Sequence, residues 1–502
     1  MADLGAVEQP GRAGPGTDHA FSVEQRGVDI IPDAERHGRP FELFWIWFGA
    51  NIIFTYIISG AIIVGFGLSF WPAVLAVVIG NLFLLLVGLG AIPGPRAGTA
   101  TLVVSRSAFG VFGNTPAATL SWITVVGWEA VNLVIATFAL YQLAVTIHIP
   151  SGNVTKAACL GLIMLVTFIV AVWGHQTIVV LQRWFSVALG IGTIILAFYV
   201  FPKLGLHFKT APLAAQNHFS SWLLALLIIA AGAFSWVNYP ADYTRYLRRD
   251  TPAWPMVLWT ALGSFIPAIF ITLVGVAAAT ATDMTNQVAG IQRLVPTWFG
   301  TLYLAIIVGG GITNNFLNTY SSGLSLLSMG VRIRRSRSVI FDAIIGGLMA
   351  IYAVFIYDFT NSFIEFLSLM VIWIAPWCGI YLTDVVMRRA RYDSQAFFRR
   401  SGPYWYSRGW NWRAIAAFAL GIGGGLLFAN APLYQGPLIG LIGSGDISIY
   451  VGFVVSALAY YALMRSKIGA LAPAQAAPAD AHDSQPRRDV GAVTTPGAEE
   501  TS

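Results

Sequence analysis

The sequence predicts an all-α polytopic membrane protein of twelve spans, and three observations carry that prediction. Of 502 residues, 56% are hydrophobic and only 10% charged, with a mean hydropathy of +0.69; soluble domains hold about 25% charged residues. Apolar runs of about 20 residues, the length that crosses a hydrocarbon core, recur from Phe41 to Met464. The basic residues divide by side. With the N-terminus inside, the outer segments hold only Lys156, Lys203, Lys209 and Arg293 of the 29 Lys and Arg, and the other 25 face the cytoplasm. That asymmetry is the positive-inside pattern, so both termini are expected in the cytoplasm, with the chain threading the cell (plasma) membrane. The net charge of +6 is then topology, and no nucleic-acid partner is read from it.

The twelve runs lie at roughly 42–67, 71–92, 116–146, 157–173, 177–201, 221–244, 256–280, 299–327, 339–357, 362–387, 412–430 and 447–465. Residues 1–40 and 467–502 are rich in Pro, Ala, Gly and charge and are expected as disordered cytoplasmic tails. No cleavable signal peptide is visible in the polar first 40 residues. The stretch Gly27-Val-Asp-Ile-Ile-Pro-Asp-Ala-Glu-Arg36 nevertheless has a more specific composition than a linker.

Span 1 carries Trp45-Ile-Trp-Phe-Gly-Ala-Asn51 and then Thr55, polar groups at mid-membrane depth beside Gly49. Span 6 repeats the plan in Gly232-Ala-Phe-Ser-Trp-Val-Asn-Tyr-Pro240: Gly232 is a weak helix former, and Pro240 lacks an amide donor. Non-helical backbone survives in a bilayer only where it is buried in protein or lines a wet cavity. The break beside Ser235 and Trp236 is therefore either a packing kink or a binding site. Broken spans at matching places in two halves point to a secondary transporter built from inverted repeats, here 41–202 (spans 1–5) and 221–389 (spans 6–10), followed by spans 11–12 at 411–466. Between spans 2 and 3, the Gly- and Arg-containing stretch 94–113 suits a tight cytoplasmic loop and lacks the context of a phosphate cradle.

Span 3 places Trp128 and Asn132 four residues apart on one helix face. A buried Asn needs partners, which either a ring stacked on Trp128 or a neighbouring helix would supply. Glu129 points about 100° away and reads as a proton carrier or as a partner to another helix. Span 8 is the most polar mid-membrane segment, with Asn314 and Asn318 on one face and Asn315 turned aside. Span 10 contains Pro376, which suits a gate or a static kink. Asp384 stands beside Arg388 and is expected to pair at the surface, with a similar surface role for Asp342 and Asp358. Cys159 and Cys378, far apart in sequence, read as apolar fillers. No catalytic constellation or metal spacing appears, so no enzyme, metal or cofactor is expected.

Six segments in order resemble the nucleobase–cation symporter-1 family, the purine–cytosine permease and hydantoin transporter group. They are Gly27–Arg36, Trp45–Asn51, Ser105-Arg-Ser-Ala-Phe-Gly110, Gly127-Trp-Glu-Ala-Val-Asn132, Ala241-Asp-Tyr-Thr-Arg-Tyr246, and Phe366-Leu-Ser with Ala375-Pro-Trp and Gly379. The resemblance spans about residues 25–395. It implies a LeuT-like fold of ten core spans in a 5+5 inverted repeat plus two C-terminal spans, alternating access, and symport with a proton or sodium ion. It also implies an aromatic substrate held between Trp128 and Trp236, with Asn132 and Asn314 bonding the ring edge and span 1 contributing near Phe54 and Thr55. A nucleobase fits such a site, because it offers two π faces and a donor/acceptor edge that a carboxamide can meet. Asn132, rather than a longer Gln, resembles the purine–cytosine branch.

One departure matters. Sodium-coupled members carry hydroxyl residues in span 8 where this chain has Val308 and Gly309, so proton coupling is expected, with Glu129 a participant and Na+ still open. The leading expectation is import of cytosine or a purine. The alternatives are a related ring compound (allantoin, uracil, a hydantoin or a vitamin) and a membrane sensor of such ligands, which would need a folded output domain that the tails do not offer. Oligomeric state is not legible.

Overall fold

The computed structural model describes residues 27–171, 175–205, 211–331 and 335–471. Of the expected tails, the parts before residue 27 and after residue 471 lie outside the described residues, as do Lys209, Arg332 and Arg334 from the basic-residue partition.

The described chain is almost wholly helical. Helices α1 (Glu42–Asn51) and α2 (Phe54–Gly65) are followed by α3 (Phe70–Leu82), α4 (Leu85–Ala91) and α5 (Pro93–Ala97), then short α6 (Thr101–Val104) and α7 (Arg106–Phe109). Next come α8 (Thr115–Thr146), α9 (Asn153–Ala171) and α10 (His175–Val200), then α11 (His218–Ser235), α12 (Pro240–Thr244), α13 (Ala253–Ala281) and α14 (Gln287–Leu294). The long α15 (Thr297–Ser328), α16 (Arg335–Phe355), α17 (Phe359–Met387), α18 (Trp412–Leu427) and α19 (Ser448–Leu471) complete it, with a two-stranded hairpin, Asn430–Ala431 against Tyr434–Gln435, between the last two.

Among the described residues, eight helices are long and apolar enough to cross a bilayer, and the α1–α2 pair, bent by 52°, makes a ninth span. Shorter apolar helices lie at Asn153–Ile169, Val339–Phe355 and Trp412–Leu427. Large apolar side chains such as Trp71, Trp184, Phe198 and Leu348 stand exposed on the outside, as expected where the solvent is lipid.

The core is made by α8 packed along α15, α1 and α2 against α13, and α11 against α3 and α17, with α18 and α19 leaning on α17. Small residues set the closest approaches. A Cβ on Gly60 would lie 2.3 Å from the Thr272 carbonyl oxygen, and one on Gly275 would lie 2.3 Å from that of Ile57. The backbones of α2 and α13 therefore touch, as tight membrane helix crossings require.

The segment before α1 is more ordered than its composition implies. Residues 27–40, expected within a disordered tail, are folded onto the loop after α5. Ile31 N–H donates to Gly98 O (2.9 Å), and the buried Arg36 guanidinium donates to Ile31 O (2.9 Å) and Pro95 O (2.6 Å). Arg245 in turn donates to Gly27 O at 2.8 Å. Asp384 does pair with Arg388, at 2.8 Å, but the pair is buried rather than on the surface. Tyr460 donates to Asp384 at 2.7 Å and Arg388 to Tyr406 at 2.9 Å, so the pair ties α17 to α19 and to the loop before α18. Asp342 is likewise fully buried, contrary to the surface role expected of it, whereas Asp358 is exposed and caps α17 through Asn361 N–H.

Candidate functional site

Two breaks and two polar helix faces meet at one cavity. In the first span the helix stops at Asn51, and Ile53 is extended (φ −126°, ψ 149°) before α2 begins. Asn51 spans the gap with its side chain: its amide donates to Trp47 O (2.9 Å), and its oxygen accepts from Tyr56 OH (2.6 Å). In the sixth span, Gly232 does not interrupt the helix. The α-helix runs to Ser235, tightens into a 3-10 turn at Trp236–Asn238, and restarts with Pro240 in its first turn. Proline suits that position, because the first helical amides have no intrahelical acceptor.

The restart is capped across the membrane fold. Ala241 N–H donates to Thr101 Oγ1 (3.0 Å), while Thr101 N–H donates to an Asp242 carboxylate oxygen (2.8 Å). One Thr–Asp pair thus satisfies orphan amides at the start of both α12 and α6, and puts negative charge where helix N-termini favour it.

The cavity between these breaks is walled by Ile53, Thr55, Tyr56 and Ser59 of the first span, Trp128 of α8, and Ile228, Ile229, Gly232, Ser235, Trp236 and Tyr239 of the sixth span. Asn314 and Asn318 of α15 and Phe363 and Leu367 of α17 close it. The walls stand close together and enclose only a small cavity, about 30 Å³.

Each aromatic is braced from behind. Trp236 meets Trp47 edge-on at 5.5 Å and Tyr239 at 5.7 Å. Trp128 meets Phe366 at 5.3 Å and Phe363 at 6.0 Å. Phe366 can approach because residue 127 is glycine; a Cβ there would sit 2.3 Å from its ring. The Trp128 indole N–H is buried without a hydrogen-bond partner.

The amides form a relay. Asn132 donates to Asn314 (2.9 Å), and Asn314 donates to Ala50 O beside the first break (3.3 Å). Asn318 donates to Asn315 (3.4 Å), and Asn315 donates to the Glu129 backbone oxygen (3.1 Å).

Of the residues singled out in the sequence, Thr55, Trp128, Ser235, Trp236 and Asn314 stand in the cavity wall. Asn132 is not in the wall; it stands behind Asn314 and bonds to it. Phe54 is buried as the first residue of α2 and does not reach the wall. Tyr239 is also a wall residue, because the 3-10 turn keeps it beside Trp236. Tyr56, Ser59, Ile228, Ile229, Phe363 and Leu367 were missed; apolar residues in an apolar span carry no mark of the face they present. Where sodium-binding hydroxyls were sought, the Phe185 ring packs over Gly309, 2.3 Å from where a Cβ would be, and Leu189 packs over Gly310.

Comparison with known proteins agrees with this architecture. The chain is similar to Mhp1, a nucleobase-cation-symport-1 family transporter solved in a closed conformation with bromovinylhydantoin bound. The TM-score is 0.71 at 18% identity, covering 89% of this chain and 96% of that one. A Na+-coupled sialic acid symporter follows with TM-score 0.56 at 13% identity, over 90% of this chain and 94% of that one. Both likenesses are of fold. In sequence, the chain is 28% identical to the putative purine-cytosine permease YxlA of Bacillus subtilis, over 89% of this chain and 97% of that one. It is 30% identical to the cytosine permease of Escherichia coli K12, over 79% of this chain and 87% of that one. The family profile described as permease for cytosine/purines, uracil, thiamine, allantoin matches residues 30–452. The chain is therefore a multi-pass membrane transporter and not an enzyme, and it belongs to the family of permeases for cytosine/purines, uracil, thiamine and allantoin.

Proposed function

We propose that this protein imports a nucleobase, cytosine or a purine, across the plasma membrane by proton symport with alternating access. The observation that supports this best is the pairing of two indoles, Trp128 and Trp236, with two carboxamides, Asn314 and Asn318, around one cavity at the broken helices. Stacking on an aromatic face recognises any flat base, and amides along the edge select among them. Asn132 orients Asn314, and the unpartnered Trp128 indole N–H offers a donor to a base carbonyl. A base is larger than the small space between these walls, so the walls must part to load it. Movement of α17, which contributes Phe363 and Leu367 and contains Pro376, would provide that opening.

The proposed topology is twelve spans with both termini cytoplasmic, ten of them as the 5+5 halves 41–202 and 221–389 and two more in 411–466. Proton rather than sodium coupling is favoured by span 8, where neither Val308 nor Gly309 offers a side-chain oxygen and the Phe185 ring covers Gly309. Uptake of labelled cytosine, adenine, uracil and allantoin into transport-null cells, with proton and sodium gradients imposed separately, tests the reading. Saturable uptake of cytosine or adenine that follows the proton gradient supports it. Uptake confined to allantoin or uracil moves the substrate class, and uptake that follows sodium and ignores pH overturns the coupling.

A further inference from the structure

Two acids lie sealed at a three-helix junction beside the cavity. Glu129 of α8 and Asp342 of α16 are each fully buried, on two helices that pack directly against each other. The faces correspond: Trp122 and Glu129 are two turns apart on one side of α8, and Asp342 and Gly346 are one turn apart on α16. A Cβ on Gly346 would lie 3.5 Å from a Glu129 carboxyl oxygen. Trp122 Nε1 donates to one Asp342 oxygen (3.0 Å) and Ser322 of α15 donates to the other (2.5 Å). Among the described residues, by contrast, no hydrogen bond of normal geometry reaches either Glu129 oxygen, and the Thr319 hydroxyl is the polar group close by.

We propose that Glu129 and Asp342 form a proton-carrying pair, with Asp342 the ionised member and Glu129 the member that holds the proton. The assignment follows from the donors. Two hydrogen bonds stabilise a carboxylate on Asp342, whereas a negative charge on Glu129 in a dry interior would have at most the Thr319 hydroxyl beside it. Two adjacent carboxyls share their titration as a unit. Among the described residues, Asp342 accepts only from Trp122 and Ser322, and no titratable side chain on the helices packed around the pair, Tyr303, Tyr320, Tyr352 and Glu365 among them, hydrogen-bonds to either carboxyl. Loaded, the pair holds one proton and one negative charge. Unloaded, it gives that proton to water on the cytoplasmic side and holds two charges, a state tolerable only when moving helices admit water. The connection to the cavity is short: Asn318 in its wall bonds Asn315, which bonds the Glu129 backbone oxygen. Trp128, the stacking residue, directly precedes Glu129 in the chain. This inference rests on proton symport as proposed above and names the residues that would perform it.

The test uses the full-length protein in liposomes, as wild type, Glu129→Gln and Asp342→Asn. Infrared difference spectra between acid and alkaline pH should show a titrating protonated-carboxyl band in the wild type that is absent from Glu129→Gln. In Asp342→Asn, the band should remain with its midpoint at lower pH, because the neighbouring negative charge is gone. Exchange of labelled cytosine across the liposome, which needs no net proton movement, should persist in both variants. Accumulation driven by an inward proton gradient should fall to the level reached without one. A carboxyl band unchanged in Glu129→Gln, or gradient-driven accumulation intact in both variants, overturns the pair. If the wild type exchanges none of cytosine, adenine, uracil or allantoin, the substrate reading fails and the infrared bands still decide the pair. Glu129→Gln preserves shape, and Asp342→Asn keeps an oxygen for one donor, so either can report if the other fails to fold.

Discussion

At the scale of single residues, the cavity assigns separate work to indoles and amides. Asn314 sits in the wall with its oxygen occupied by Asn132 and its amide on Ala50 O. It is thus oriented before any ligand arrives. Asn314→Ala removes that edge and leaves Asn132 without its acceptor; a lost hydrogen bond of this kind costs about 1–3 kcal/mol. The expected result is cytosine affinity lowered by roughly tenfold or more, with helix content by circular dichroism unchanged. Phe54→Leu, which lies outside the wall, should leave affinity near wild type in the same titration. Trp128, Trp236 and the asparagines were legible in the sequence, since large polar or amphipathic groups at mid-membrane depth are conspicuous. The backing position of Asn132 was not, because it depends on a partner 182 positions away.

At the scale of elements, the two helix breaks hold the site, and their chemistry differs. The first is bridged by its own Asn51 and Tyr56, the second by Thr101 at the start of α6. Thr101→Val keeps the shape and strands the buried Ala241 N–H, at a cost of about 1–3 kcal/mol. Lower thermal stability in detergent is expected for Thr101→Val, with stability restored by Thr101→Ser; an unchanged melting temperature would deny the cap its role. Glycine, proline and polar residues inside an apolar run announced that both spans break. The extent of the second break was less readable: Gly232 remains helical because its neighbours in α11 hold it there, and the 3-10 turn starts only after Ser235.

At the scale of the whole molecule, buried polar contacts tie segments distant in sequence to one another. Residues 27–40 clasp the loop after α5, while Asp384 and Arg388 join α17 to α19 and the loop before α18. Arg388→Ala strands a buried carboxylate, a change that typically destabilises by about 3–5 kcal/mol, so a marked fall in folded yield and melting temperature is expected; the double change Asp384→Asn with Arg388→Met should recover part of it. The proposed topology makes its own prediction. A single cysteine placed at Asp250 should react with impermeant reagents only from the cytoplasmic side, and one at Asp283 only from outside, since both positions are exposed. That the chain crosses a membrane many times was readable from composition and hydropathy, which act locally. The burial of Asp342 and Asp384 was not, because nearness to a span end in sequence hides partners brought by distant helices.

Equilibrium binding of labelled cytosine and adenine to the purified protein and to its Trp236→Ala variant addresses the stacking site most directly. Loss of one aromatic face should cost about 1–3 kcal/mol, seen as a Kd raised roughly ten- to hundredfold with uptake reduced in parallel. A Trp236→Ala protein that binds and transports as well as the wild type would contradict the assignment of this cavity as the substrate site.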